Sequence, residues 1–479
     1  MTISLRDPAG QVCLVDGRIL RIINESGISD FNAFINSAAS QSFLGSRQLV
    51  GTTILEDQEL DEIFDNEITR SLLEQKTCAM VVEHERVPFQ SFPYEWAADM
   101  LHAAACLTLD MAEKLLDEGL GLKDATPYNV LFRGPHPVFV DLLSFEQRDP
   151  ADPTWLPYAQ FVRTFLLPLL VSKHFGISLK QLLTTHRDGI EPEEVSHLCS
   201  TVQKLLPPFL SMVTLPALLN LKAAKNETSI YEKKRMGDPE RARFILSRVL
   251  KNVRRQLEKV APPTGRSSNW SDYMAHNNYT RDYFPIKQSF VEDILAYYCP
   301  KRVLDVGCNT GHFSALAARL GASVVAIDYD AVVVGEVWRK ASAGNLDILP
   351  LVVDLARPTP STGWRNSECP SFLERARGTF DCVLMLAVIH HMLVGERIPL
   401  AEIVALASEL TTDVLVIEFV APSDPMFKRI SRGRDHLFID LTREFFEATC
   451  RKHFEIVRCE RLDQTDRWLY LMKKKGARA

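Results

Sequence analysis

From about residue 271 onward the chain alternates short apolar runs with helix-length segments of mixed polarity. The runs are RVLDVG, SVVAIDY, ILPLVVD, DCVLMLA, DVLVIEF, FEIVRC and RWLYLMK. Each has the length and β-branched content of a strand, and helical segments separate most of them. The alternation predicts one compact α/β domain over 271–479, built on a layered sheet of seven strands. Upstream the pattern is different. Residues 1–95 mix strand-like GRILRII and CAMVVEHERV with helix-like FNAFINSAASQSFL, which predicts a small α+β lobe. Residues 96–260 read as mainly helical, interrupted by a loop, GLKDATPYNVLF, and by strand-like PVFVDLL. Near its end, Leu246, Val249, Leu250, Val253, Leu257 and Val260 recur at helical spacing, with many Arg and Lys on the opposite face. Such a stripe is ordinarily a solvated face; contact with RNA or lipid is the alternative. APPTGRSSN breaks both periodicities with Pro, Gly and Ser, and marks 261–270 as a linker.

Composition adds mostly exclusions. Hydrophobic residues make up 46% and charged residues 24%, so there is material for buried cores in two or three domains. A net charge of −6 gives no global pull toward nucleic acid or anionic membrane. The longest apolar run, Phe165 to Val171, contains a proline and is too short to span a bilayer. The N-terminus lacks a basic segment followed by an apolar one, so no signal peptide is expected and the expected location is cytoplasmic. The ten cysteines are scattered, with no Cys/His cluster at metal spacing, and read as reduced core residues. No metal is expected.

The chemistry concentrates in VLDVGCNTGHFSALAARLGASVVAIDYD, from Val303. A buried strand is expected to end in Asp305, to turn through Gly307, Cys308, Asn309, Thr310 and Gly311, and to enter a helix. Glycines allow a ligand to approach the backbone, and Asn309 tolerates a positive φ better than most residues. The next strand ends in Asp328, followed by Tyr329; a carboxylate there can accept hydrogen bonds from two ribose hydroxyls. A dinucleotide site would want GxGxxG, whereas the loop reads GxNxG with His312 and Phe313 behind it.

The loop resembles motif I of the class I S-adenosylmethionine-dependent methyltransferases. That resemblance implies a Rossmann-like domain with S-adenosyl-L-methionine as cofactor. It implies that Asp305 and the Gly307–Gly311 loop, with Cys308 and Asn309, hold the methionine portion, and that Asp328 holds the ribose. It also puts Asp354 and Leu355 beside the adenine, and Leu386 and Ala387 near the sulfonium. The acidic or Asn-Pro-Pro-Tyr element of nucleobase-methylating relatives is missing after the fourth strand, so an exocyclic amine on a base is disfavoured as the target. In its place stands LAVIHHMLVGERIPL. Methyl transfer is an in-line displacement in which alignment does most of the work. A hydroxyl acceptor also profits from a base near neutral pKa, which makes His390 and His391 candidates. Glu418 is expected at the carboxyl end of the VLVIEF strand, where open α/β sheets place their ligands; there it could orient a histidine or bind substrate, or simply sit at the surface. Several phrases together resemble a narrower group, the NoeA-like bacterial methyltransferases related to nodulation proteins: PFQSFPYEWAADML, LKDATPYNVLF, VFVDLLSFE, DVGCNTGHFSALAA, GWRNSE, AVIHHM and IEFVAPSDPMF.

The remaining motif points elsewhere. In LKDATPYN, Asp124 and Asn129 are spaced as in a kinase catalytic loop, and Asp141 resembles the second metal ligand of aminoglycoside-phosphotransferase-like kinases. The usual histidine before the Asp is Leu122, there is no glycine-rich loop, and the GRILRII strand carries arginines rather than lysine. A degenerate kinase-like half is therefore expected, serving for binding or as a scaffold, with a purely structural loop as the alternative. The leading functional expectation is methyl transfer to a small-molecule or carbohydrate-like acceptor, most simply at oxygen, with nitrogen the alternative. A non-enzymatic S-adenosylmethionine-binding scaffold and an RNA methyltransferase are the second and third readings.

Overall fold

The computed structural model describes residues 6–56, 59–60, 78–223, 235–263, 265 and 279–476. Most of the expected linker, and the first residues of the expected 271–479 domain, lie outside these. The chain divides into two compact units, one of residues 1–132 and 136–264, the other of 133–135 and 265–479.

In the first unit, strands β1 (Gly10–Val15), β2 (Arg18–Asn24), β3 (Thr52–Ile54) and β4 (Cys78–His84) form an antiparallel sheet in the order β1-β2-β4-β3. The helix-like segment after β2 is two helices, Glu25–Ile35 and Ala38–Gly45, because Ser37 caps the second by accepting the Ser40 N–H. The apolar stripe of the Pro239–Val260 helix is buried at Leu246, Leu250, Val253, Leu257 and Val260. It packs on the Ala98–Leu116 helix, where Arg254 reaches Asp110 and Glu113 and Arg243 reaches Asp117. Two arginines of the basic stripe are thus engaged by acids of their own unit.

The kinase-like loop is used internally. Short strands β5 (Leu120–Leu122), β6 (Val130–Arg133), β7 (His136–Phe139) and β8 (Phe145–Gln147) surround it. PVFVDLL is a strand only as far as Phe139, since Asp141 caps a turn of 3-10 helix. Asn129 Nδ2 donates to Ser144 Oγ at 2.8 Å, and that hydroxyl donates to Asp141 at 2.6 Å. Arg21 lies 2.6 Å from Asp141. Burial pushes the Asp141 carboxyl up, but Arg21 and the Ser144 hydroxyl outweigh it and hold it below its ordinary value. Asp124 is exposed and apart from this network, accepting from Gln160. Asn129 and Asp141 are thus joined through Ser144, and Asp124 stands apart from both. Among the described residues no group of three or more His, Cys, Asp or Glu is placed to hold a metal ion.

The second unit is built on β9 (Arg302–Val306), β10 (Ser323–Asp328), β11 (Ile348–Val352), β12 (Phe380–Met385), β13 (Thr411–Val420), β14 (Phe454–Arg461) and β15 (Arg467–Lys474). Their order is β11-β10-β9-β12-β13-β15-β14. The first five are parallel, and their nearly continuous apolar sequences suit a sheet covered on both faces. Strand β15 runs antiparallel between β13 and β14. Pro350 is tolerated because β11 is an edge strand. On one face, Phe290, Val291, Ile294 and Leu295 of the Tyr279–Tyr298 helix pack against Val303, Val324, Leu384, Val416 and Leu471. All ten cysteines are free thiols, and Cys299 and Cys459 are exposed rather than in the core. Among the described residues no helix is long and apolar enough to cross a membrane.

Candidate cofactor and acceptor site

The carboxyl ends of β9, β10, β11 and β12 open onto a cavity of about 460 Å³, the size range of small-ligand sites. Asp305 lies inside β9, one residue before its end, and is buried. Ser314 Oγ donates to it at 2.6 Å. Burial, with Asp328 adding to it, pushes the Asp305 carboxyl up to about 6 despite that hydrogen bond. The turn that follows passes through Gly307 (φ 68), Asn309 (φ 47) and Gly311 (φ 79). The glycines make room chiefly for the protein itself. A Cβ on Gly307 would lie 2.5 Å from Val388 Cγ2, and one on Gly311 2.9 Å from Val337 Cγ2. Gly311 turns the chain into the His312–Arg319 helix and does not line the cavity.

Asp328 terminates β10. It accepts the backbone N–H of Asn309 at 3.1 Å and that of Asp330 at 3.0 Å, so the glycine turn and the second strand share one carboxylate. Burial raises the Asp328 pKa, with these backbone donors working against the rise. Tyr329 is exposed at the cavity mouth. Asp354 and Leu355 lie just past the end of β11, and Leu386 and Ala387 just past β12; all four line the cavity. Ala387 has φ 56, a left-handed conformation uncommon for a residue with a Cβ and often found at functional turns.

The two histidines separate. Both lie on the short Ile389–Val394 helix with ring centroids 4.3 Å apart, but His391 lines the cavity and His390 does not. His390 is 1% exposed, and its Nδ1 has no hydrogen-bond partner. Burial lowers both pKa values, with His391 and Arg467 adding to the effect on His390 and Arg467 to that on His391. Both imidazoles are neutral at pH 7. Glu418 is not a surface residue: β13 continues to Val420, and pairing with β15 leaves its side chain wholly buried. It does not line the cavity. Lys287 Nζ meets it at 2.6 Å and Arg467 Nη1 at 3.4 Å. Burial pushes its carboxyl up, and these two cations overcome that and hold it below its ordinary value.

The sequence reading missed part of the lining. Tyr283, Phe284 and Lys287 come from the helix ahead of β9, and Arg467 from β15. A signal was present in each case. Lys287 falls on the buried stripe with Phe290 and Ile294, and Arg467 on the inward alternation with Leu469 and Leu471. A charge on an otherwise apolar face calls for a specific partner.

A methyltransferase-domain family model matches residues 254–459. Nodulation protein NoeA of Rhizobium meliloti (strain 1021) is 30% identical over 476 residues, covering 98% of this chain and 95% of that protein. The chain belongs to the NoeA family of methyltransferases. Its cofactor is S-adenosylmethionine. Solved structures similar to this NoeA-family enzyme include magnesium protoporphyrin IX methyltransferase from Synechocystis PCC 6803 with bound SAH, at 22% identity and a TM-score of 0.30 over 42% of this chain and 88% of that one. N-methyltransferase NodS from Bradyrhizobium japonicum WM9 is 12% identical, with a TM-score of 0.30 over 41% of this chain and 98% of that one. Both structural likenesses are distant. The family model begins at residue 254 and so leaves the kinase-like expectation for the first unit without support. The residues of the cavity suit the cofactor on their own terms. Asn309 Oδ1 and His312 Nε2 are buried there without hydrogen-bond partners, Asp328 supplies an acceptor carboxylate, and the wall between is apolar.

Proposed function

We propose that this enzyme methylates an oxygen of a small or carbohydrate-like acceptor. The observation that carries the reading is His391, a neutral imidazole lining the cavity next to the turn at Leu386 and Ala387. In this reading Asp305, Cys308 and Asn309 hold the amino-acid end of the cofactor, with Gly307 and Gly311 shaping the turn. Asp328 and Tyr329 hold the ribose, Asp354 and Leu355 flank the adenine, and Leu386 and Ala387 border the reacting centre. When bound, S-adenosylmethionine supplies a methyl group on a sulfonium sulfur, open to in-line displacement. His391 accepts the proton of the acceptor hydroxyl as that oxygen attacks, which an amine acceptor would not need to the same degree. Tyr283, Phe284 and Phe313 offer aromatic faces to a sugar-like ring and keep water out. His390 and Glu418 support the site from behind it. The relative's name places that protein in nodulation, and an acceptor made in such a setting is consistent with the reading.

Two measurements test this. Calorimetry with S-adenosylhomocysteine should show binding that Asp328→Ala weakens about tenfold or more, as expected for losing charged hydrogen bonds. Incubating fractionated cell extract with methyl-labelled cofactor should put label in the small-molecule or oligosaccharide fraction, stable to alkali as an ether is. Label confined to RNA, or no transfer at all, would overturn the acceptor class.

A further inference from the structure

Two cations lining the cavity keep hydrogen-bonding capacity that the described residues do not use. Lys287 is 8% exposed and Arg467 7%. An ammonium carries three N–H donors and a guanidinium five. Among the described residues, Lys287 spends one, on Glu418 at 2.6 Å, while its charge also lies 5.6 Å from the centre of the Phe313 ring. Arg467 directs Nε and Nη2 to Asp424 at 2.8 and 3.0 Å, and Nη1 to Glu418 at 3.4 Å. Two donors remain on each. Glu418 and Asp424 are buried and do not line the cavity, so the carboxylates stand behind the cations and the cavity lies in front.

A lysine that serves the fold alone looks different. Lys474 shows how: its ammonium donates to the carbonyl oxygens of Ser408 and Thr411, and it does not border the cavity. Buried donors left idle cost free energy unless an acceptor arrives to meet them. The cluster is also electrically balanced, two cations against two carboxylates, so an added anion meets no surplus negative charge from the cluster.

We propose that Lys287 and Arg467 form a docking point for a carboxylate or similar anionic oxygen group, with Glu418 and Asp424 as positioning residues that aim them. The inference rests on the cavity being the cofactor's site. Two sources could present that group: the amino-acid end of the cofactor, or an acid group on the acceptor. Lys287 sits against Phe313, beside the glycine turn, and Arg467 against Tyr283, so the docking point borders both.

Calorimetry separates the sources. S-adenosylhomocysteine and its carboxamide, which differ in one charge, are titrated into wild type, Lys287→Gln and Asp328→Ala. Sodium acetate and inorganic phosphate are then titrated into protein saturated with S-adenosylhomocysteine. If the cofactor's carboxylate docks here, Lys287→Gln loses about tenfold or more in affinity for S-adenosylhomocysteine but binds the carboxamide as wild type does. If the acceptor's acid docks here, S-adenosylhomocysteine binding is unchanged, and the loaded wild type binds acetate or phosphate where Lys287→Gln does not. If Asp328→Ala weakens S-adenosylhomocysteine and neither signature appears, the docking point falls while the cofactor site stands. If Asp328→Ala has no effect, the cofactor site falls and takes the docking point with it. Should Lys287→Gln fail to fold, wild type alone decides: equal affinity for acid and carboxamide, with no acetate or phosphate binding, overturns the proposal.

Discussion

Ser314 donates its hydroxyl hydrogen to Asp305 across 2.6 Å, and this is the strongest counterweight to the burial that pushes the Asp305 carboxyl up to about 6. A raised folded-state pKa contributes stability that is fully present below the unfolded value, near 3.8, and is lost as pH rises through about 6. At pH 7.5 the buried carboxylate is therefore a burden on the protein without cofactor. Asp305→Asn should stabilise it at that pH, by about 3 kcal/mol at most for a two-unit shift. The same variant should bind S-adenosylhomocysteine more weakly. Thermal melts at pH 7.5 and 4.5 check the first part: a gain that is larger at pH 4.5 would contradict it.

His84 titrates in the opposite sense. Its ring Nε2 accepts from Arg21 at 3.2 Å and its Nδ1 lies 2.8 Å from Thr52 Oγ1, which fixes a neutral tautomer. Burial, with Arg21 adding to it, pushes its pKa down to about 3. The unfolded chain takes up a proton near 6.5 that the folded chain refuses, so stability falls as pH drops from 6.5 toward about 3. The slope is at most about 1.4 kcal/mol per pH unit. His84→Gln should flatten this limb. Hydrogen-exchange protection of β2 and β4 between pH 7 and 4.5, corrected for intrinsic exchange, measures it, and an unchanged slope would reject the assignment.

Gly311→Ala meets two obstacles, a left-handed backbone and Val337 at 2.9 Å. The expected loss is about 1–3 kcal/mol. Adding Val337→Ala should recover the steric part only, leaving the backbone part. Full recovery in the double variant would show that φ is not strained there.

His391→Ala should lower turnover about a hundredfold or more while leaving S-adenosylhomocysteine affinity near wild type. Because burial and Arg467 depress the imidazole pKa, the wild-type rate should hold as pH falls to 6.5 and decline only below it. His390→Ala should instead act through stability, since that ring is buried off the cavity. Equal loss of turnover in both variants at unchanged stability would assign the chemistry to the pair.

Much of the second unit was readable because buried parallel strands are near-continuous apolar runs, and because the glycine turn and Asp328 fall at strand ends, with Asp305 one residue short of one, where local order and site coincide. Asn309 was readable for the same local reason, its φ of 47 being a property of the turn. Lys287 and Arg467 were not, since nothing near either in sequence names its partner and only the packing of the Tyr279–Tyr298 helix beside β13 and β15 brings them to Glu418. Glu418 was misplaced because a run ending in EF looks like a strand end, while antiparallel pairing with β15 extends the strand past it. The loop at Asp124 was legible as a spacing only. Arg21, from a strand a hundred residues earlier, takes up Asp141 in a way no local pattern announces.

The position of β15 bears on the order of assembly. It is the later strand of its hairpin, yet it lies inside the sheet, between β13 and β14. During synthesis β13 emerges with an unpaired edge, and its sheet neighbour does not exist until residues 467–474 follow. The same segment delivers Arg467 to Glu418 and Asp424. Until then, among the described residues, Asp424 lacks its cation and Glu418 has Lys287 alone, so this wall of the pocket is completed last.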